Sequence, residues 1–278
     1  MSDEKQTLKE GGTRMDRRRR LLQKQLDAAV REETRLLSPK APGRLEQTVR
    51  KAEERFPPGA VSALQKAFGL GFEKVFASGT GVIEWTIQPE KSRKAAQHAA
   101  APLKTGRVRS GLRGIERQAR RRVRGNRALT AAEGAALGLL GIGLPDIPIF
   151  VGMLLKTVYE VAVAYGFSYE PEEERLYILQ LLCAALAGDG RMYSAQADRT
   201  AFRLGNGKSP DGDLDTWIAA ASQQLCLRLL AVKAVQGLPL VGVVGGGFNW
   251  AVLGRTGRLA RIKYRKRMLS RMLDVVQN

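Results

Sequence analysis

The sequence predicts an all-α protein, a multi-helix bundle in which apolar, glycine-rich helical hairpins are flanked by arginine-rich amphipathic helices. Apolar residues recur at intervals of three and four through most of the 278 residues, which is the helical period. Proline and glycine clusters interrupt this period and mark the helix ends. The hydrophobic fraction of 44% suffices for a buried core, and 46 Lys and Arg against 27 Asp and Glu leave a net charge of +19.

The N-terminal region is predicted to be a basic arm. Residues 1–13 are polar and contain glycine, so we expect disorder there. The apolar residues within Leu22–Leu37 recur at helical spacing and predict one amphipathic helix. The chain then divides into a partly disordered arm, residues 1–42, and a helical domain, residues 43–278. We expect no secretory signal, because no apolar segment follows the run Arg17–Arg20.

Two helices are predicted between the arm and the first arginine-rich segment. Residues 45–56 form a short helix that ends at two prolines and a glycine. A second helix follows from Ala60. Its apolar face consists of Val61, Leu64, Phe68, Phe72, Val75 and Phe76.

The segment Arg107–Arg127 is predicted to be a basic amphipathic helix. It contains nine arginines and one acidic residue, Glu116, and its apolar residues are spaced by three and four. Two interpretations stay open: a solvated face of a helix packed on the core, or a surface for an anionic partner. The candidate residues for an anionic surface on this helix are Arg113, Arg117, Arg120, Arg121 and Arg124.

A helical hairpin is predicted next. The capping-box pattern Thr130–Glu133 places a helix start near Ala131. Asp146, between two prolines, is expected to cap a second helix over residues 147–165, with Gly166 just past its end. The two arms contain charge-free runs of only ten and nine residues. A membrane span needs about 20, so a buried core is the default and a re-entrant segment the alternative.

The following helix is predicted to begin at Pro171, with three glutamates in its first turn, and to end at residues 188–190. A polar loop is expected after it. Alternating aspartates at 211, 213 and 215 resemble the start of a calcium loop, but Thr216 and Ser222 occupy positions that need Gly and Glu. We therefore interpret them as a turn that caps a long helix over residues 214–236.

The C-terminal part repeats the pairing of an apolar run with a basic helix. Residues 238–253 carry no charge and include Gly245–Gly247, but they lack the Gly-Lys-Ser/Thr ending of a phosphate-binding loop. A basic amphipathic helix is predicted from Arg255 to about Val276. Its candidate anionic-surface residues are Arg258, Arg261 and Arg265.

The stock of catalytic and metal-binding residues is small. His98 is the single histidine, which leaves few members for a Ser/His/Asp or Cys/His nucleophile scheme or for a zinc site. Cys183 and Cys226 lie in apolar helical patterns and are expected to be small buried hydrophobes in a reducing compartment. We assign no catalytic residue, no metal ligand and no cofactor.

Four segments together resemble the EcsC protein family, which is named for a bacterial operon that encodes an ABC transporter. They are residues 130–134, 141–148, 160–166 and 238–249, within a match expected from about Leu45 to the C-terminus. The resemblance implies a helical, membrane-associated protein without ATPase activity, linked to transport or secretion, and it assigns no catalytic role. The family-motif positions are Gly141, Gly143, Pro145, Asp146, Pro148, Glu160, Tyr165, Gly166, Gly245 and Asn249.

Three functions compete at this stage. The leading hypothesis is a non-enzymatic protein at the cytoplasmic face of an anionic membrane, peripheral or partly inserted, which supports an ABC transporter or another membrane protein. The first alternative is nucleic-acid binding by the arginine-rich helices, although no helix-turn-helix or RNA-recognition signature is present. The second alternative is an enzyme with a buried carboxylate site at Asp146 and Glu160.

Overall fold

The computed structural model describes residues 2–38, 47, 58–77, 89–139, 147–236 and 246–277. Within these ranges the chain forms nine helices and no strand, which confirms the all-α prediction. The helices are α1 (Ser2–Leu37), α2 (Pro58–Ala77), α3 (Pro89–Lys104), α4 (Val108–Leu139), α5 (Ile147–Ala164), α6 (Glu172–Leu186), α7 (Arg191–Gly205), α8 (Leu214–Gln236) and α9 (Gly246–Gln277).

Helices α5 and α6 form the centre of the bundle. α5 packs against α2, α3, α4 and α9, while α6 packs against α7, α8 and α9. Leu154, Leu155 and Val158 of α5 are completely buried, as is Leu181 of α6. α5 has the length and apolar composition of a membrane span, and 72% of it is buried inside the bundle. Because a core helix meets the same criterion, composition alone does not assign α5 to a bilayer.

The C-terminal basic helix is also a core helix. α9 packs against α1, α4, α5 and α6, and Leu253, Leu259 and Leu269 are fully buried. Most of its basic residues therefore do not form an open surface. The exposed positions between residues 251 and 276 are Ala251, Arg258, Ser270, Arg271, Asp274 and Val275.

Two helix starts differ from the sequence-based predictions. α1 begins at Ser2, where disorder was expected, and its buried Leu22, Ala29 and Leu37 belong to the helical packing. α4 is continuous to Leu139, so no helix starts near Ala131. Thr130 and Glu133 lie inside α4, because residues with capping-box spacing can also occupy a helix interior. The exposed Gly125 does not end the helix either, since one glycine costs a long helix only about 1 kcal/mol. The division of the chain at residue 42 stays a prediction.

Helix α7 occupies part of the chain that was predicted to be a polar loop. Its buried positions are Ser194, Ala197 and Thr200, spaced by three. These side chains are small and partly polar, while the large apolar Met192 and Phe202 are exposed, so the sequence shows no clear apolar stripe on the buried side. α7 was missed for this reason.

Two predicted helix boundaries are confirmed. α5 ends at Ala164, and Gly166 adopts φ +82°, the left-handed conformation that a residue after a helix commonly needs. α8 begins at Leu214, where the Asp213 carboxylate accepts hydrogen bonds from the Thr216 amide and hydroxyl at 2.7 and 2.8 Å. Most of the predicted 45–56 helix, the hairpin tip 141–146 and residues 238–245 lie outside the described residues.

Candidate functional site

The arginines of α4 form an exposed cationic face. Ile115, Ala119 and Val123 are buried and hold one side of the helix on the core. The arginines on the opposite side of the helix consequently point outward, because residues three and four apart share a helix face. All five sequence-predicted candidates on this helix are exposed: Arg113, Arg117, Arg120, Arg121 and Arg124. We call them the α4 arginine face.

The acidic residue of this segment, Glu116, is turned inward and does not neutralise most of that face. Its carboxylate lies 3.1 Å from Arg261 of α9, 2.8 Å from Arg120, and accepts a hydrogen bond from the Tyr165 hydroxyl. Burial opposes ionisation, but the nearby Arg261 and the Tyr165 hydrogen bond outweigh it and lower the pKa of Glu116. Burial and the Glu116 charge raise the pKa of Tyr165 well above its ordinary value.

The predicted arginines of α9 have a different environment. Arg258 is exposed, but Arg261 and Arg265 are partly buried and pair with carboxylates. Arg265 lies 2.7 Å from Glu32 of α1, while Arg261 contacts Glu116. These two side chains join α9 to α1 and α4. We therefore no longer count Arg261 and Arg265 among the candidate residues for binding an external anion.

A second ion cluster lies deeper between α1, α7 and α9. Lys263 is completely buried and lies 2.7 Å from Glu33 and 2.8 Å from Asp198, and it donates to the Ser194 carbonyl at 2.7 Å. Lys266 contacts the same two carboxylates at 2.5 and 2.8 Å. Two cations and two anions balance here, so much of the basic character of α9 is neutralised internally. We call these four side chains the Lys263 cluster.

The aromatic contacts of Arg267 anchor another part of α9. Its guanidinium lies 2.5 Å from Glu174 of α6 and 4.4 and 4.3 Å from the ring centroids of Phe167 and Tyr177. Tyr264 donates to the same glutamate at 2.8 Å. A buried arginine held by a carboxylate and by aromatic faces is a structural contact between helices.

Glu160 occupies a polar pocket between α4 and α5. Asn126 donates to its carboxylate at 2.9 Å, and Arg122 lies 3.7 Å away. Burial is the largest influence and raises the pKa of Glu160, although Arg122, Lys156 and Asn126 oppose it. The carboxylate partner suggested by the sequence, Asp146, lies outside the described residues, so the proposed acid–base pair stays a prediction.

The family-motif residues are only partly within the described chain. Pro148 lies in the first turn of α5, and Glu160, Tyr165 and Gly166 lie along or just after it. Asn249 falls in the first turns of α9. Gly141, Gly143, Pro145, Asp146 and Gly245 lie outside the described residues.

A cationic cleft extends the α4 arginine face toward α1. The cleft has a volume of about 950 Å³ and lies between the middle of α1, the α3–α4 turn and the start of α4. None of the described residues that line it is acidic. Its basic lining residues are Arg17, Arg18, Lys104, Arg107, Arg109 and Arg113. The cleft was not predicted from the sequence, because the Arg17–Arg20 run was assigned to a separate N-terminal arm.

The described residues hold no group of three or more His, Cys, Asp or Glu side chains arranged for a metal ion. Cys183 and Cys226 are both buried and are not joined in a disulfide, and burial raises the pKa of Cys183 to about 12. A thiol with so high a pKa is poorly suited to act as a nucleophile.

Comparison with known proteins identifies the family. The EcsC protein family model matches residues 22–269, a region that starts before Leu45 and includes the C-terminal part of α1. Protein EcsC of Bacillus subtilis (strain 168) is 28% identical over 144 residues, which are 51% of this chain and 58% of that protein. The alignment thus spans less than two thirds of that relative. No solved structure matches the chain. Because the family match covers most of its length, the chain belongs to the EcsC protein family.

Proposed function

We propose that this EcsC-family protein binds the cytoplasmic face of an anionic membrane through the α4 arginine face, without catalysing a reaction. The observation that supports this most directly is the difference between the two basic helices. The basic residues of α9 are largely paired inside the bundle, whereas Arg113, Arg117 and Arg121 of α4 are exposed. Of the two basic helices, α4 is therefore the one that presents most of its arginines to solvent.

The number of arginines is adequate for such binding. Each basic residue close to an anionic lipid surface contributes about 1 kcal/mol. Even if only half of the five arginines of the face reach lipid headgroups, about 2–3 kcal/mol results, and the cationic cleft beside them adds to this. The attraction is electrostatic, so it should weaken as salt screens the charges.

Vesicle sedimentation tests the proposal. The full chain is incubated with phosphatidylcholine vesicles, with and without phosphatidylserine, and the triple variant Arg117→Glu/Arg121→Glu/Arg124→Glu is compared with the wild type. The matched control, Lys66→Glu/Arg199→Glu/Lys208→Glu, makes the same charge change at exposed sites on other parts of the bundle.

We expect phosphatidylserine-dependent sedimentation that the α4 variant loses and the control retains. Equal sedimentation with both vesicle types, or equal loss in both variants, would contradict the proposal. Duplex DNA is included as a competitor at two salt concentrations. If DNA displaces the vesicles and binds the α4 face more tightly, the nucleic-acid alternative replaces the membrane proposal.

A further inference from the structure

The cationic cleft opens directly into an apolar groove. The groove has a volume of about 650 Å³ and shares Arg18, Leu103 and Lys104 with the cleft. It runs between α3, α4, the end of α5 and α9. Its apolar lining includes Ala96, Ala100, Ile115, Phe167, Met268 and Met272. Both volumes lie within the range of about 300–1,000 Å³ that is typical of small-molecule sites.

The described lining of both spaces is basic, polar or apolar, with no acidic residue. Arg93 at the groove is already paired with Glu170 at 2.8 Å. In contrast, the Nε atom of Arg18 is buried and has no hydrogen-bond partner. A buried donor without a partner is unfavourable, so a hydrogen-bond acceptor at this position would be stabilising. Arg18 lies at the junction of the cleft and the groove.

We infer that the cleft and the groove together bind one molecule of an anionic phospholipid. The phosphate lies in the cleft, where Arg17, Arg18 and Arg107 supply positive charge and hydrogen-bond donors. An acyl chain lies in the adjoining groove and is removed from water. A free phosphate uses the cleft alone, so it lacks the contribution of the groove.

The inference rests on the proposed membrane association, which supplies the lipid, but it concerns a different set of atoms. Arg113 of the α4 arginine face also lines the cleft, but the surface-attachment variant changes Arg117, Arg121 and Arg124, which line neither the cleft nor the groove. The lipid site depends on Arg18, Arg107 and the groove. The two ideas can therefore fail separately.

Isothermal titration calorimetry with soluble, monomeric short-chain lipids tests the site without a membrane. The full chain is titrated with dihexanoyl phosphatidylglycerol, dihexanoyl phosphatidylcholine and glycerol phosphate. We expect the first to bind at least about tenfold more tightly than the other two, a difference of about 1.4 kcal/mol. Equal affinity for phosphatidylcholine, or for glycerol phosphate, would overturn the inference.

Three variants assign the binding to the two halves of the site. Arg18→Gln/Arg107→Gln should weaken phosphatidylglycerol binding about tenfold or more. Ala100→Phe should fill the groove and weaken phosphatidylglycerol binding while leaving the weak glycerol phosphate binding unchanged. The control Arg199→Gln/Lys208→Gln removes the same charge outside the cleft, the groove and the α4 arginine face, and it should leave the affinity unchanged.

An unchanged affinity in the first two variants would overturn the site, and the wild-type ligand series decides the question if either variant does not fold. Soluble-lipid binding without phosphatidylserine-dependent vesicle binding would remove the proposed function and retain the site. The reverse result would remove the site alone.

Discussion

Replacing Glu33 with glutamine should destabilise the protein more than replacing Lys263 with methionine. Both residues belong to the Lys263 cluster, in which Lys263 and Lys266 face Glu33 and Asp198. The cluster is balanced, so either substitution leaves one unit of excess charge. The two variants differ in where that charge resides, and this difference sets the size of the effect.

Glu33→Gln leaves the excess positive charge beside Lys263, which is 0% exposed. Removal of one partner from a buried pair costs about 3–5 kcal/mol, and the remaining contacts to Asp198 and Ser194 place the expected cost near the lower limit, about 3 kcal/mol. Lys263→Met leaves a negative charge that Lys266 still contacts and that Asp198, with a side chain 42% exposed, can share with water. An apolar side chain also suits this site, so we expect a cost of about 1 kcal/mol.

Thermal and urea unfolding at pH 7 measure the two costs. A difference of about 2 kcal/mol corresponds to about 4–8 °C in Tm for a domain of this size. Arg199→Gln, an exposed substitution on α7, is the control and should change stability by less than about 0.5 kcal/mol. Equal costs, or a larger cost for Lys263→Met, would refute the assignment of the excess charge to a buried site.

The pH dependence of the same variant gives a second readout. Burial opposes ionisation of Glu33, but Lys263 and Lys266 outweigh it and lower its pKa below the ordinary value of 4.5. The stabilisation from this carboxylate is thus present above pH 4.5 and is lost as the pH falls through the folded-state pKa. The difference in stability between wild type and Glu33→Gln should accordingly shrink on acidification. A constant difference down to the acid transition would contradict this role.

Two further predictions concern α4 and its contacts. Gly125→Ala should stabilise the protein by up to about 1 kcal/mol, because the added Cβ meets no atom within 4 Å. Gly257→Ala on α9 would place a Cβ 2.6 Å from Val123 and should destabilise the protein by about 1–3 kcal/mol. Urea unfolding measures both changes. Glu160→Gln should raise stability at pH 7, because burial raises the pKa of Glu160 and disfavours its ionised form. The variant should lose this advantage as the pH falls toward 4.5 and the wild-type carboxyl becomes protonated. A variant less stable than the wild type at pH 7 would show that the ion pair with Arg122 dominates.

Sequence reasoning was most accurate where local chemistry decides the structure. Gly166 and Asp213 act at helix ends through their own backbone conformation or side chain, so their roles were predictable. α7 was not predictable, because small residues line its buried side. The cationic cleft also could not be predicted, since it joins Arg17 and Arg18 to residues about 90 positions later in the chain.

The sequence by itself determined the helical class, several helix boundaries, the family resemblance and the presence of two arginine-rich helices. The tertiary structure decided which helix keeps its charge on the surface. α4 and α9 have similar basic patterns, but acidic side chains from α1, α6 and α7 lie against α9. Helical periodicity shows which residues share a face, but the partner of that face depends on long-range packing. For this reason, the arginines of α4 and those of α9 lead to different expectations about function.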